Sequence, residues 1–483
     1  MQNIQNQSLL RAAGFIGGEW SGADDGETFA VENPANGEII ARIPQMGAAE
    51  TRRAVAAAEK AFPDWRAAAA KDRAAALLEW HRLILQNKED LARLMTLEQG
   101  KPLAESRGEV QYGASFAQWF AEECKRCGGE IVPPSRAGTE IRVTREAAGV
   151  AALITPWNFP IAMIMRKAAP ALAAGCTVAA KPASQTPLCA IALAALAEEA
   201  GVPPGVFNLI PGDARAVGGE LCANPRVRVL SFTGSTEVGR LLAAACAPGV
   251  KKLALELGGN APFIVFDDAD LPRAAAQLMM SKFRNAGQTC VCANRIYVQR
   301  GAHSEFAALL KEKILALKTG DGLREDTDIG PLIDEAAVQK AENHVRECIS
   351  GGASALVAGG RCGKGGRFFA PALLDNVSDG APPCREETFA PVAPLFVFDK
   401  EEEAVRRAND SIHGLSAYVC TKDLGRAMRV SAALEAGIVG VNEGIISTEV
   451  APFGGVKQSG VGREGGAYGM DEYTEIKYTL FGY

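Results

Sequence analysis

The chain has 483 residues, with 51 Lys+Arg against 57 Asp+Glu and a formal net charge of −6. A 48% hydrophobic and 22% charged composition excludes wholesale disorder, and mild acidity leaves no basic footprint for nucleic acid. No apolar run reaches the ~18 residues that a membrane span needs, and the length suits two large domains or three ordinary ones.

Met1 to Leu10 shows neither a basic nor an apolar targeting region. The 12 cysteines are therefore expected to be reduced thiols in the cytoplasm, with Cys176, Cys222 and Cys246 as small core residues. Only 4 histidines, scattered along the chain, and a lone Cys124/Cys127 pair predict no metal site.

Residues up to about Pro44 read as turn-rich, with Asn33-Pro34-Ala35-Asn36-Gly37 as a turn signal. Helical spacing follows over 48–68 and 71–98, with Gly100 and Pro102 as stops. From Gly149 the pattern alternates. Strands are predicted at Val150–Ile154, Cys176–Ala180, Val206–Ile210, Arg228–Phe232 and Leu253–Leu257, with helices after Pro160 and at 187–199, 213–222 and 236–246. That alternation implies a parallel sheet covered by helices, with ligands at the carboxyl ends of its strands. A second α/β region starts near Ala261: strands at Pro262–Phe266, Arg295–Val298, Leu395–Phe398, Ala417–Cys420 and Gly437–Val441, and helices at 270–284, Ser304–Leu317, Glu401–Ala408 and Leu424–Leu434. Glycine-rich loops occupy 351–366 and 454–466. The tail Asp471–Tyr483 alternates as a strand that needs a partner edge, which a neighbouring subunit could supply.

Six segments could carry chemistry. Phe283–Cys292 delivers Cys290 on a polar, Gly-containing loop, where a thiol can serve as nucleophile given a nearby base. Glu256 interrupts the apolar Leu253–Leu257 strand ahead of two glycines, and a desolvated Glu suits a general base. Asn158, fixed between Pro156 and Pro160, could donate to an oxyanion. Ser231–Gly239 opens a helix whose N–H groups could hold a pyrophosphate, although Gly234 and Gly239 do not form a G-x-G-x-x-G fingerprint. Lys181, in Ala179–Pro187, can reach a ribose or phosphate, and Glu387 sits in a Glu386–Pro391 turn. Taken singly, each has an ordinary explanation: a buried Cys, a structural ion pair, a helix cap or a solvated turn. The Cys290-x-Cys292 spacing would give only a small, strained ring on oxidation.

In this order the segments resemble the NAD(P)-dependent aldehyde dehydrogenase superfamily, over essentially the whole chain and nearest its succinate-semialdehyde branch, which includes glutarate-semialdehyde dehydrogenases. Pro452–Gly460 is a seventh matching segment, and Ala390, where many relatives have Gly, is a departure expected to perturb the turn after Phe389. The resemblance implies an α/β fold with a Rossmann-like cofactor domain (1–125 and 148–258), an α/β catalytic domain (259–458) and a small β oligomerisation element (126–147 and 470–483). It makes Cys290 the nucleophile, Glu256 the base and Asn158 the oxyanion amide, with a thioester intermediate. It places the cofactor on Trp157, Asn158, Lys181, Pro182, Ala183, Ser184, Gly234, Ser235, Leu257 and Glu387, and the substrate's distal carboxylate on Arg166, Arg284 and Ser447. NAD-preferring relatives often carry Glu at the Ser184 position. Its absence removes a repulsion, so NADP is favoured over NAD. The implied partners are a small semialdehyde and further copies of the chain. A cofactor-independent cysteine esterase is the alternative of a different class.

Overall fold

The computed structural model describes residues 4–363 and 366–483. Met1–Asn3, and Lys364 and Gly365 of the glycine-rich 351–366 segment, lie outside the described residues.

Two parallel sheets organise the chain. In the first, Phe207–Leu209, Thr177–Lys181, Val150–Ile154, Val227–Thr233 and Lys252–Glu256 lie side by side in that order. These strands are apolar runs because helices cover both faces, the usual condition of a parallel sheet. The strand order reverses between Val150–Ile154 and Val227–Thr233, and this is where such sheets open a crevice for ligands. Gly14–Ile16 and Glu19–Ser21 extend one edge antiparallel, so the turn-rich N-terminus contributes strands the sequence pattern did not announce. Gly460–Val461 closes the other edge against Leu255 and Glu256.

The second sheet runs Ala372–Asp375, Val392–Phe398, Ala293–Gln299, Ala261–Val265, Ser416–Cys420 and Ile438–Val441, all parallel, with Ser354–Val357 antiparallel at its edge. A third sheet pairs the tail strand Thr474–Gly482 with Thr139–Ala147, and that with Glu130–Val132. The tail therefore finds its partner edge within the same chain.

Two long helices, and the single turn Pro382–Arg385, were invisible to the periodicity argument. Leu103–Glu123 starts directly after Pro102, which acts as a helix start rather than only a stop. Glycines at 108 and 113 dilute its pattern. Gly113 is there for contact: a Cβ on it would lie 2.7 Å from Ile161 Cγ2, so it lets this helix press on Pro160–Ala174. Glu335–Ser350, capped by Asp334, is the other. The expected 71–98 helix is two, Ala70–Gln86 and Lys88–Gln99, because the Asn87 side chain donates to the Leu83 carbonyl and ends the first.

Gly113→Ala should therefore destabilise the chain by about 1–3 kcal/mol through overpacking, read as a lowered Tm in thermal denaturation.

Candidate active site

Cys290 lies in the loop between helix Leu271–Phe283 and strand Ala293–Gln299. Asp270 caps that helix by accepting the Arg273 N–H. The chain then leaves it through Asn285 and Ala286, both left-handed with φ of 51° and 54°. Side chains from elsewhere hold this turn. Glu105 accepts the Asn285 N–H at 2.7 Å, and Gln99 donates to Asn285 Oδ1 at 3.0 Å.

The Cys290 sulfur faces Glu256 Oε2 at 3.9 Å. Glu256 ends its strand fully buried, and desolvation pushes its carboxyl up to about 8 although the Arg166 guanidinium opposes this. Burial, with Glu256 adding to it, also holds the Cys290 thiol well above its ordinary value. The resting pair is therefore a neutral thiol beside a carboxyl that can take its proton only once ionised, a form that gains ground as pH rises toward 8. Asn158 Nδ2 donates to the Gln288 carbonyl at 3.0 Å, which ties the amide to the nucleophile loop and leaves its second N–H free. The Asn158 carbonyl accepts from Lys101 at 2.7 Å and from Asn285 at 3.0 Å, so its backbone is pinned from both sides. Cys292 is buried and its thiol lies on the Lys282 carbonyl at 3.5 Å instead of meeting Cys290.

A cavity of about 300 Å³ opens on Cys290 and is also lined by Trp157, Asn158, Gly234, Ser235, Leu257 and Glu387. Trp157 stands edge-on to Phe389, centroids 5.8 Å apart. Ser235 caps helix Thr236–Cys246 through its hydroxyl, leaving the first backbone N–H groups pointing outward. The Leu257 backbone is held by the Ser459 carbonyl at 2.9 Å. Glu387 accepts the Gly259 N–H at 2.9 Å, and burial raises its carboxyl to about 7. A Cβ on Gly258 would sit 2.8 Å from Glu387 Oε2, so glycine leaves that carboxylate its present place at the cavity wall. Ala390 is fully buried with an ordinary backbone. The strained residue of its turn is Phe389, with φ of 55°.

Lys181 ends strand Thr177–Lys181, and Pro182, Ala183 and Ser184 form the turn that follows it. They do not line the Cys290 cavity. Ser184 borders a separate one of about 350 Å³, shared with Glu98, Asp334 and Arg367. Lys181 is buried, its ammonium donates to the Pro182 carbonyl, and desolvation lowers it to about 8 despite Asp213.

Residues 20–479 match the aldehyde dehydrogenase family model. The chain belongs to the aldehyde dehydrogenase family. The succinate-semialdehyde dehydrogenase (NADP(+)) GabD of Escherichia coli (strain K12) is 56% identical, with 99% of each chain covered. A 3-sulfolactaldehyde dehydrogenase of Pseudomonas putida is 55% identical over 100% of this chain and 99% of its own. The solved structure of an Escherichia coli NADP-dependent enzyme superposes with a TM-score of 0.98 at 56% identity, covering 100% of both chains. The fold is thus the expected aldehyde dehydrogenase α/β fold.

In this aldehyde dehydrogenase the three residues expected to grip a carboxylate are placed differently from one another. Arg166 is buried and already engaged: it forms an ion pair with Glu464, stands 3.7 Å from Glu256 and lies over the Phe453 ring. Arg284 has no acidic partner among the described residues; its Nε is buried without a hydrogen bond and its guanidinium lies 5.4 Å from the Phe159 ring centroid. Ser447 is half-buried in an irregular segment, and no described contact links it to either arginine. Sequence reasoning missed Glu464 and Lys167. Lys167 is buried, pairs with Glu464 and donates to Ser231 at 3.1 Å. Burial alone would raise the Glu464 carboxyl, but Arg166 and Lys167 more than reverse that and hold it below its ordinary value. A glutamate in a glycine-rich loop gives no hint of burial. The cue was the adjacent Arg166-Lys167 pair in an otherwise apolar helix, which demands an acidic partner.

With its carboxyl near 8, Glu256 should make thioester hydrolysis rise with pH through that value, because only the ionised form accepts a proton. Glu256→Gln should keep the first-turnover burst and stall afterwards, visible in stopped-flow absorbance of the reduced cofactor.

Proposed function

We propose that this chain oxidises succinate semialdehyde to succinate with NADP or NAD, NADP being favoured, through a cysteine thiohemiacetal and thioester. The observation that carries this is the single buried cluster in which the Cys290–Glu256 pair meets the guanidinium of Arg166. A short aldehyde whose far end is anionic can place its carbonyl on Cys290 and its charge toward Arg284 and Arg166. The two relatives are named for a carboxylated and a sulfonated aldehyde, which fits a site for an anionic tail. Glutarate semialdehyde is the alternative, since one methylene discriminates weakly.

The residues do the following. The Cys290 proton passes to Glu256 as sulfur attacks the aldehyde carbon. The free N–H of Asn158 and the Cys290 backbone N–H hold the alkoxide. Once the thioester has formed and Glu256 has released that proton to solvent, Glu256 takes a proton from water as it attacks the acyl carbon and returns it to the departing Cys290 sulfur, and the acid product sheds its own proton to solvent and leaves as the carboxylate. The dinucleotide, when bound, supplies the hydride acceptor. Its fit is supported by the Gly258 opening for Glu387, the unpaired buried hydroxyl of Thr233 and the Ser235 helix start. A cysteine esterase would need none of these around its nucleophile.

For NADP, the support is a Lys181 ammonium with no hydrogen-bonded anionic partner and the neutral Ser184. Assembly into a homo-oligomer is part of the proposal: the third sheet exposes Ile131, Ile476 and Tyr478, apolar residues that a second copy could cover. No described helix is long and apolar enough to cross a membrane, and the 12 unpaired thiols suit the reducing cytoplasm.

The test is kcat/KM for succinate semialdehyde, glutarate semialdehyde and butanal, each with NAD and NADP. Equal values for butanal and the semialdehydes would overturn the substrate assignment, and a strong NAD preference the cofactor assignment. Ser184→Glu should raise KM for NADP far more than for NAD.

Arg284→Ala should lower the succinate semialdehyde to butanal ratio by about 10- to 100-fold, because a hydrogen bond to a charged group is worth about 1.5–3 kcal/mol. Arg166→Ala should instead slow both aldehydes, since it also strips Glu256 and Glu464 of a cation. Ser447→Ala should have the smallest effect of the three.

A further inference from the structure

A chain of buried side-chain amides runs from helix Lys88–Gln99 into the Cys290 loop. Gln99, the last residue of that helix, is buried, as are Asn285, Gln288 and Asn158. Gln99 Oε1 accepts the Lys101 N–H at 3.0 Å, and Gln99 Nε2 donates to Asn285 Oδ1 at 3.0 Å. Asn285 Nδ2 in turn donates to the Asn158 carbonyl at 3.0 Å and to the Gln288 carbonyl at 3.3 Å. The Gln288 carbonyl is also the acceptor for Asn158 Nδ2. The Gln288 side chain points its amide elsewhere, donating to the Asn285 carbonyl at 3.1 Å and accepting the Ile333 N–H at 2.9 Å.

The direction of this chain is fixed at both ends. A backbone N–H can only donate and a backbone carbonyl can only accept. The Lys101 N–H therefore turns the Gln99 oxygen toward itself and leaves the Gln99 NH2 for Asn285. The Asn158 and Gln288 carbonyls take the Asn285 NH2 and leave its oxygen for Gln99. Asn285 satisfies all three partners in one orientation only, and Gln99 is the group that holds it there. The two carbonyls lie on opposite walls of the site. One belongs to the residue offering the oxyanion amide, the other to the loop two residues before Cys290.

We propose that Gln99 is a positioning residue: by orienting the Asn285 amide it sets the separation between the Cys290 loop and Asn158, and with it the fit of the alkoxide between them. Gln99 does not line the Cys290 cavity, so it acts through Asn285. The proposal rests on the reading that Cys290 attacks the aldehyde and Asn158 holds the alkoxide. A misplacement of about 1 Å in such a fit costs about 100-fold in rate.

The experiment measures the first-turnover rate of cofactor reduction and the cofactor affinity in the parent enzyme, Gln99→Met, Asn285→Gly, the double variant and Asn158→Ala. Each is assayed with succinate semialdehyde and with butanal. Met fills the space of Gln without its hydrogen bonds, and Gly tolerates the positive φ at position 285. Gln99→Met should slow the first turnover about 10- to 100-fold and leave cofactor affinity within about threefold. It should slow both aldehydes by the same factor, because the reacting centre is common to them. In the Asn285→Gly background the same substitution should cost less than about threefold more, since two residues that act through one contact are not additive. If Gln99→Met does not fold, Gln99→Asn, which keeps the amide but is one methylene shorter, is measured in its place. An unchanged first turnover, or full losses that multiply in the double variant, would overturn the proposal. So would a loss of cofactor affinity as large as the loss of rate, which would make Gln99 a support of the fold alone. If Asn158→Ala slows the first turnover and Gln99→Met does not, only Gln99 is misassigned. If Asn158→Ala leaves that rate unchanged, the reading of Asn158 has failed.

Discussion

Four ionisable groups buried together set the terms for this site. Arg166 and Lys167 leave one helix side by side, and Glu464 takes an ion pair from each while Glu256 lies within reach of Arg166. Moving such groups out of water costs several kcal/mol apiece, and the attraction offsets this only while every partner is present; removing one strands the others at about 3–5 kcal/mol. The helix Pro160–Ala174 that carries both cations is therefore fixed in rotation and height. Its N-terminus is fixed too. Phe159 offers no capping side chain, and Glu109 from the neighbouring helix accepts the Ile161 and Ala162 N–H groups at 3.0 and 3.2 Å. Lys101 pairs with Glu109 and reaches back to the Asn158 carbonyl. Asn158, Arg166 and, through Arg166, Glu256 thus inherit their positions from one clamped helix.

The same cluster separates two carboxyls by environment. Both Glu256 and Glu464 are buried. Glu464 has two cations in contact and stays ionised; Glu256 has one at 3.7 Å and rises to about 8. A carboxyl titrating near neutrality beside a thiol suits the base role proposed for Glu256, and the ionised Glu464 helps to hold it there. Glu464 is then the counter-ion that makes a reactive Glu256 compatible with two buried cations.

Much of this was legible in the sequence, and the part that was not has a common cause. Parallel strands such as Val150–Ile154 are buried on both faces and read as plain apolar runs. Cys290, Glu256 and Asn158 stood out because each breaks such a run or sits between glycines and prolines. Helix Leu103–Glu123 did not, because Gly113 and the polar Glu105 and Glu109 look like loop residues until their partners are known. Glu109 caps a helix fifty residues away, and Glu464 pairs with cations nearly three hundred residues before it. Long-range polar partnership carries no local period. Arg166 shows the converse: its position was found by resemblance, but its engagement with Glu464 appears only in the fold.

The Cys290 loop shows why the strained residues belong here. Asn285, Ala286 and Phe389 all adopt positive φ, and a left-handed conformation costs an ordinary residue about 1–2 kcal/mol. The two turns that contain them meet at Gly287, where a Cβ would come within 2.4 Å of the Ala390 carbonyl. Contact that close lets neither loop relax without the other. Glu105 adds a carboxylate raised to about 7 by burial, which Lys101 partly offsets, and spends it on the Asn285 N–H. The strain is tolerated because distant groups over-determine the loop. A relaxed loop would free Cys290 from its 3.9 Å approach to Glu256 and Glu387 from the cavity wall. Cys290, Glu256 and Glu387 are therefore held in register by backbone contacts that neither the cysteine nor the glutamates could supply themselves.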